Sequence, residues 1–411
     1  MKPYTRLTLI AFLLFMARGM TGPISSIYVR SLGASYLAIG LLGTVTSVTT
    51  IAASYLWGRA SDRIGRRKDF LAGGLAVLAV CFVALTLAPG YLLLFPLYVL
   101  MATAQSAYDM ASLALMGDWL EVRGRQRVSG GRADRGRRMG AYRGLASLGF
   151  GLMAFVSGTI ADRLSLRSPF GVASGFFAVA FVLALSVQEA PVEERDAGRP
   201  GPKPRAAQVT ARPDAGSGAP ALPLMPLLVA ALLWSLVVGA VYAVWGNYMV
   251  EALDYTPAQM TRLWALASLS EFPLMMLAGW LSDRVGRLPM LSLGFLTWGA
   301  VFVGYLVAPY MPWIVLVQLM RGFAYSAHTA TAMTYAAEVR ARSERGRISG
   351  LYGTAGALGS IVGSSLGGAL TEYVGFRALI GAGAGIIFAG AAYLAGATWR
   401  HRGIPSARER A

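Results

Sequence analysis

A chain of 411 residues, 55% hydrophobic and only 14% charged, is poorer in charge than soluble domains, where about a quarter of residues are charged, so much of its surface belongs in lipid. The formal net charge of +17 has a definite placement: 29 of the 37 Lys and Arg fall in 1–6, 57–69, 120–138, 188–222, 282–288, 339–347 and 400–411, and the loops between hold only Arg30, Arg163, Arg167 and Arg377. That alternation follows the positive-inside rule; it predicts a multi-pass cell-membrane protein with both termini cytoplasmic, and it removes the need for a nucleic-acid partner. The single cysteine, Cys81, excludes an intramolecular disulfide and a Cys-based metal cluster. Two histidines, His328 and His401, are too few for the usual metal enzyme, so no metal or cofactor is expected.

Apolar spans of roughly 18–27 residues, enough to cross about 30 Å of hydrocarbon, are predicted in chain order at 7–29, 35–57, 70–88, 91–117, 139–161 and 169–187. Six more follow at 223–249, 257–280, 289–308, 312–337, 348–370 and 376–399. The first continues into spans of similar type without a small-residue cleavage site and reads as a retained helix. Ser35 and Thr256 occupy equivalent places before the second and eighth spans, where each can cap a helix. Residues 1–187 form one six-helix bundle and 223–411 another with a short basic tail. Between them, 188–222 is dominated by Ala, Pro, Gly and Arg and reads as a flexible cytoplasmic tether. The Gly- and Arg-rich run 123–138 reads as a mobile loop.

The halves repeat one another. Gly58-Arg59-Ala60-Ser61-Asp62-Arg63-Ile64-Gly65-Arg66 returns as Gly279-Trp280-Leu281-Ser282-Asp283-Arg284-Val285-Gly286-Arg287, and each copy closes an apolar run. Arg135-Gly136-Arg137 matches Arg345-Gly346-Arg347, and the same register pairs Tyr142 with Tyr352, Gly149 with Gly359, Gly158 with Gly368 and Asp162 with Glu372. In the charged turns the glycines allow close backbone approach and positive φ. These turns resemble those of the major facilitator superfamily, and the resemblance implies that Asp62 could face the start of the eleventh helix near Arg347 and Asp283 the start of the fifth near Arg138. A carboxylate at a helix N-terminus gains about 0.3–1 kcal/mol when exposed, so on that resemblance these turns are candidate gates; the alternative is a charged loop that only fixes topology.

Two repeated sixes, a basic central linker and the pattern G-x-x-x-D-R-x-G-R after the second and eighth helices resemble the major facilitator superfamily over the whole chain. The resemblance implies an all-α membrane fold of twelve helices in two bundles related by a pseudo-two-fold axis. It also implies a monomeric secondary transporter that works by alternating access around a midplane site. Helices one, four, seven and ten would line the cavity. The second copy of the turn runs into Leu288-Pro289 and lacks the trailing basic pair of the first. The antiporter arginine of the fourth helix is replaced by Tyr98, with Gln318 at the matching place of the second half, and 144–158 contains no proline. Sugar-transporter signatures around helices six and twelve are not visible.

Ionisable groups in hydrocarbon are costly and mark function. Five lie deep: Arg18, Asp109, Glu271, Arg321 and His328. They are scattered singly, without the clustered nucleophile and base that an enzyme requires. Glu271 is the first candidate for proton coupling, because desolvation disfavours the charged form of a carboxyl; Pro273 frees a backbone carbonyl nearby. Asp109 and His328 are further coupling candidates, although Asp109 can equally pair with Arg18 and His328 can be a satisfied bundle residue. Arg321 either meets an anionic group of the substrate or answers Glu271. Arg143, near a helix end, snorkels. Arg18, Gln105, Tyr108, Trp245, Asn247, Gln318, Arg321 and Tyr325 compose the candidate substrate pocket, with Tyr28 and Tyr98 beside it. The expected function is proton-coupled transport of a small organic solute, leaning to efflux. Proton-coupled uptake of an organic anion is one alternative and a non-transporting membrane sensor another.

Overall fold

The computed structural model describes residues 3–64, 66–126, 131–187, 222–307, 310–339 and 344–402. Gly65, the side chain of Asp62, those of 117–144 and nearly all of the expected tether lie outside that set. Long helices dominate: α1 (Pro3–Thr21), α2 (Tyr36–Ile64), α3 (Arg67–Leu87), α4 (Leu94–Gln126), α5 (Gly131–Arg163) and α6 (Ser168–Leu185) in the first half. The second half has α7 (Leu224–Asn247), α8 (Pro257–Val285), α9 (Arg287–Val307), α10 (Met311–Glu338), α11 (Arg345–Tyr373) and α12 (Phe376–Arg402). Among the described residues, eight are long and apolar enough to span a bilayer, and α1 with the short helix Ser25–Ser31 makes a ninth. The others, α5, α10 and α11, have the length but carry more charge, glycine or hydroxyl groups.

Two boundaries depart from expectation. The first span breaks after Thr21 and resumes at Ser25 with a 48° bend, because Pro23 lacks an N–H and disfavours helical geometry at Gly22. The run 123–138, expected as a loop, is largely helical, with α4 reaching Gln126 and α5 starting at Gly131. Its Arg, Gln and Ala residues are good helix formers, so charge ended the apolar signal without ending the helix.

Caps match the sequence reading. Ser35 Oγ accepts the Ala38 N–H at 3.1 Å. Thr256 and Gln259 form a capping box at α8, with Pro257 in the first turn. That helix ends at Gly286, whose φ of 97° with ψ of 161° is a positive-φ conformation that glycine adopts without steric cost.

The packing repeats as the sequence does. In the first half α1 contacts α5 and α6, α3 contacts α4 and α6, and α2 contacts α4. In the second, α7 contacts α11 and α12, α9 contacts α10 and α12, and α8 contacts α10. Small residues permit the closest of these approaches. Gly359, Gly363 and Gly367 of α11 lie on the carbonyls of Leu232, Leu236 and Ala240 of α7, one turn apart on each helix, and a Cβ on any would overlap that oxygen.

The halves meet chiefly through two crossings, α5 with α8 and α2 with α11. Both are tightest at the end bearing Tyr36, Asp162, Pro257 and Glu372. At the opposite end, which carries the charged turns, Gly58, Gly279, Gly346, Gly350 and Gly353 have open space where a Cβ would stand. Among the described residues the close glycine contacts between the halves lie toward the first of these ends and none lies at the second; by that measure one end is joined and the other is parted.

Candidate functional site

Between the halves lie two cavities that share Val238, Tyr242 and Trp264 as walls. One, of about 370 Å³, takes Phe15, Ser147 and Phe150 from the first half and Ser268, Glu271, Trp298, Arg321 and Tyr325 from the second. The other, of about 460 Å³, reaches toward the joined end and is lined by small and hydroxyl residues, Ser25, Ser26, Thr46, Ser47 and Tyr98 among them, with no charged side chain in its walls.

Helical spacing aims these groups. Trp264, Ser268 and Glu271 stand at i, i+4 and i+7 on α8 and share a face. Arg321 and Tyr325 stand at i and i+4 on α10. Ser326 donates to the Glu271 carbonyl at 3.1 Å, two residues beyond the Leu269 carbonyl that Pro273 leaves without its helical donor.

Arg321 is 5% exposed. Its guanidinium lies 4.8 Å from the ring centre of Trp264 and 5.4 Å from that of Tyr242, and Nη2 donates to the Trp264 carbonyl at 3.5 Å. Cation–π contact with desolvated aromatic faces stabilises such a charge, while its Nε has no hydrogen-bond partner. Among the described residues no ion pair within 4.0 Å joins it to Glu271. Glu271 thus shares the cavity with Arg321 without, among the described residues, a cation in direct contact with its carboxyl.

Asp109 is different. Arg18 Nη2 stands 3.4 Å from its Oδ2 and Gln105 Nε2 donates to its Oδ1 at 3.2 Å. Arg18 and Asp109 are paired in this structure. Both side chains are more than one-third exposed, so the pair contributes at most about 1 kcal/mol. Asp109→Asn is expected to cost no more than that, read as thermal unfolding in detergent. An Arg18→Met, Asp109→Leu double variant should be no less stable than either single change, because each single change strands one charge and the double variant strands none.

Other expected pocket residues lie outside these walls. Tyr108 is 2% exposed and packs on Gly74 of α3. Trp245 is fully buried, its ring edge-on to Trp264 at 5.1 Å. Gln318 is fully buried with both amide atoms unpartnered. Asn247 donates to Glu251 Oε1 at 2.9 Å near the joined end. His328 stacks on Trp234, centroids 4.5 Å apart and planes 13° from parallel, behind the wall residues Trp298 and Tyr325 that Trp234 also touches. The side chain each presents to the cavity depends on helix rotation, which apolar span limits do not fix. The spacing of Trp264 from Glu271 and of Tyr242 from Val238 was the available signal for the wall residues that sequence reasoning passed over.

At the parted end the charged turns bond within their own halves. Arg287 holds Asp283 at 2.6 Å and Glu338 at 2.8 Å. Arg284 covers the Trp280 ring at 3.7 Å, Arg66 meets Asp69 at 2.9 Å, Arg347 meets Glu344 at 3.8 Å, and Arg63 is exposed. The expected contacts across the halves involve Asp62 and Arg138, whose side chains lie outside the described residues.

Two six-helix groups with matching internal packing cross at α2–α11 and α5–α8 around a charged and aromatic cavity, the architecture of a two-bundle membrane transporter. The chain belongs to the MFS_1 like family, whose model matches residues 4–380. It is 28% identical to a maltose permease of Geobacillus stearothermophilus over 368 residues, covering 89% of this chain and 85% of that one. It is 26% identical over 381 residues to a protein of Deinococcus radiodurans that bears the name of a sugar efflux transporter, covering 90% and 92%. Its fold resembles the crystal structure of the nucleoside transporter NupG, with a TM-score of 0.78, 15% identity and coverage of 97% and 99%. A bacterial homologue of the human lysosomal transporter Spinster is also similar, at a TM-score of 0.72, 15% identity and coverage of 99% and 100%.

Proposed function

We propose that the protein is a proton-coupled secondary transporter of a small hydroxylated solute, a sugar or sugar-like molecule, working as a monomer with 1–187 and 223–411 as its rocking bundles and 188–222 as their tether. The observation that carries this reading is the placement of Glu271 and Arg321 on one cavity without an ion pair between them. A carboxyl free of a permanent partner can load and release a proton, and an unpaired guanidinium can take a substrate oxygen. The Trp264 and Tyr242 rings suit the apolar faces of a sugar ring, and the adjoining chamber offers hydroxyl groups. The names of the two relatives point to the same substrate class. The positive-inside distribution of Lys and Arg supports a cytoplasmic side for the charged turns, and on that reading the parted end faces inward.

Export is the direction we favour. One relative is named for efflux, and Arg18 resembles an arginine on the first helix of efflux-type members. The rival reading, uptake of an organic anion, drew on Arg18 and Arg321 together. Arg18 is already neutralised by Asp109, which weakens it. In energised inverted membrane vesicles holding a pH-sensitive dye, adding mono- and disaccharides should dequench the dye. A flat trace across the whole sugar panel would remove the proposal.

A further inference from the structure

The two crossings that join the halves are built alike at their tight end. Gly158 of α5 lies on the Pro257 carbonyl at the start of α8, and Gly368 of α11 lies on the Tyr36 carbonyl at the start of α2; a Cβ on either would overlap that oxygen. One turn beyond each glycine stands an acid. Asp162 Oδ2 accepts the Ala258 N–H at 3.1 Å, and Glu372 Oε2 accepts the Tyr36 N–H at 2.7 Å.

The first N–H groups of a helix lack intrahelical partners and carry the positive end of its dipole. At α8 the Thr256 hydroxyl takes the Gln259 N–H, and at α2 the Ser35 hydroxyl takes that of Ala38. The donors left over at Ala258 and Tyr36 are the ones the acids of the opposite half accept from. The sequence pattern is Gly-x-x-x-acid in both copies, Gly158-Thr159-Ile160-Ala161-Asp162 and Gly368-Ala369-Leu370-Thr371-Glu372. Around the second latch, Glu251 adds a contact from the Tyr36 hydroxyl and an ion pair with Arg30 at 3.8 Å.

We infer that Asp162 and Glu372 are a matched pair of gating residues, one per half, which hold the end remote from the charged turns shut by docking on the other half's helix N-termini. When the halves part at this end, each carboxylate returns to water and each N–H loses its acceptor. The glycines set the distance of approach and the acids supply the closing contact. The inference rests on alternating access, but it requires neither a known substrate nor a coupling ion.

The test reads accessibility instead of transport, so it stands apart from the proposed function. In a Cys81→Ala background, Ser26→Cys places a thiol in the chamber beneath the latch and Gly353→Cys places one at the parted end. Asp162→Asn and Glu372→Gln are then made singly and together, and labelling of the purified full chain by a bulky maleimide is timed. Each single change should speed labelling at position 26 roughly fivefold, the ratio that about 1 kcal/mol represents, and the double change more. Labelling at position 353 should hold or fall. Unmoved labelling at position 26, or equal acceleration at both positions, overturns the inference, the second because it marks general loosening. If the double variant does not fold, the single variants carry the same test, with Glu372→Asp expected to fall between parent and Glu372→Gln.

Discussion

Glu271→Gln is expected to abolish gradient-driven transport while leaving solute binding and solute–solute exchange close to the parent level. The amide keeps the shape and volume of the carboxyl, so the cavity that Glu271 shares with Trp264, Arg321 and Tyr325 should stay intact. What it loses is a proton that can be taken up and given back. The same logic does not extend to Asp109, whose carboxylate is already held by Arg18 and Gln105; Asp109→Asn should slow transport less than Glu271→Gln. Proteoliposomes with and without an imposed pH gradient separate the two activities in one preparation. Uphill accumulation by Glu271→Gln at the parent rate would refute the coupling role outright.

Arg321→Met should weaken solute binding roughly 10- to 150-fold, the range expected for a hydrogen bond to a charged group worth about 1.5–3 kcal/mol, without unfolding the protein. Most changes at a 5% exposed position destabilise, but this side chain is a buried cation with no carboxylate within 4.0 Å among the described residues. Replacing a buried charge by an apolar group of similar length often costs little, and the Met stem can still lie between Trp264 and Tyr242. Arg321→Lys keeps the charge and loses the planar fork that stacks on those rings, so its affinity should fall between the two. Solute-dependent shifts in melting temperature measure both effects at once. A methionine variant that binds as tightly as the parent would show that Arg321 serves packing alone.

Much of the architecture was legible before any coordinate. The charged turn, recurring from Gly58 at Gly279, marked the duplication, and the paired contacts of α1–α6 and α7–α12 repeat it. Ser35 and Thr256 were readable as caps because hydroxyl side chains before an apolar run have few other uses. The site was legible only by depth. Glu271 and Arg321 stood out because charge in hydrocarbon is costly, and that argument is independent of which way a helix is turned. Trp245 and Gln318 were chosen for depth and polarity too, but each stands three places from a wall residue, Tyr242 and Arg321, and so points about 60° off its face, while Asn247 is turned to Glu251. His328 shares the face of Arg321 two turns on, where Trp234 covers it. Such occlusion belongs to the neighbouring helix, and no reading of α10 alone contains it.

The three helices that fall short of a spanning hydropathy carry a consequence for biogenesis. Alone in a bilayer, α10 would expose Gln318, Arg321 and His328 to lipid, and α11 its glycines and hydroxyls. Each, however, packs on helices made before it: α5 on α1, α10 on α8 and α9, α11 on α2 and α7. Synthesis order therefore delivers every weakly apolar segment to a membrane in which a partner already waits. Insertion of α10 and α11 becomes a docking step, and a chain whose α8 or α7 is misplaced should fail at the translocon before it fails as a transporter.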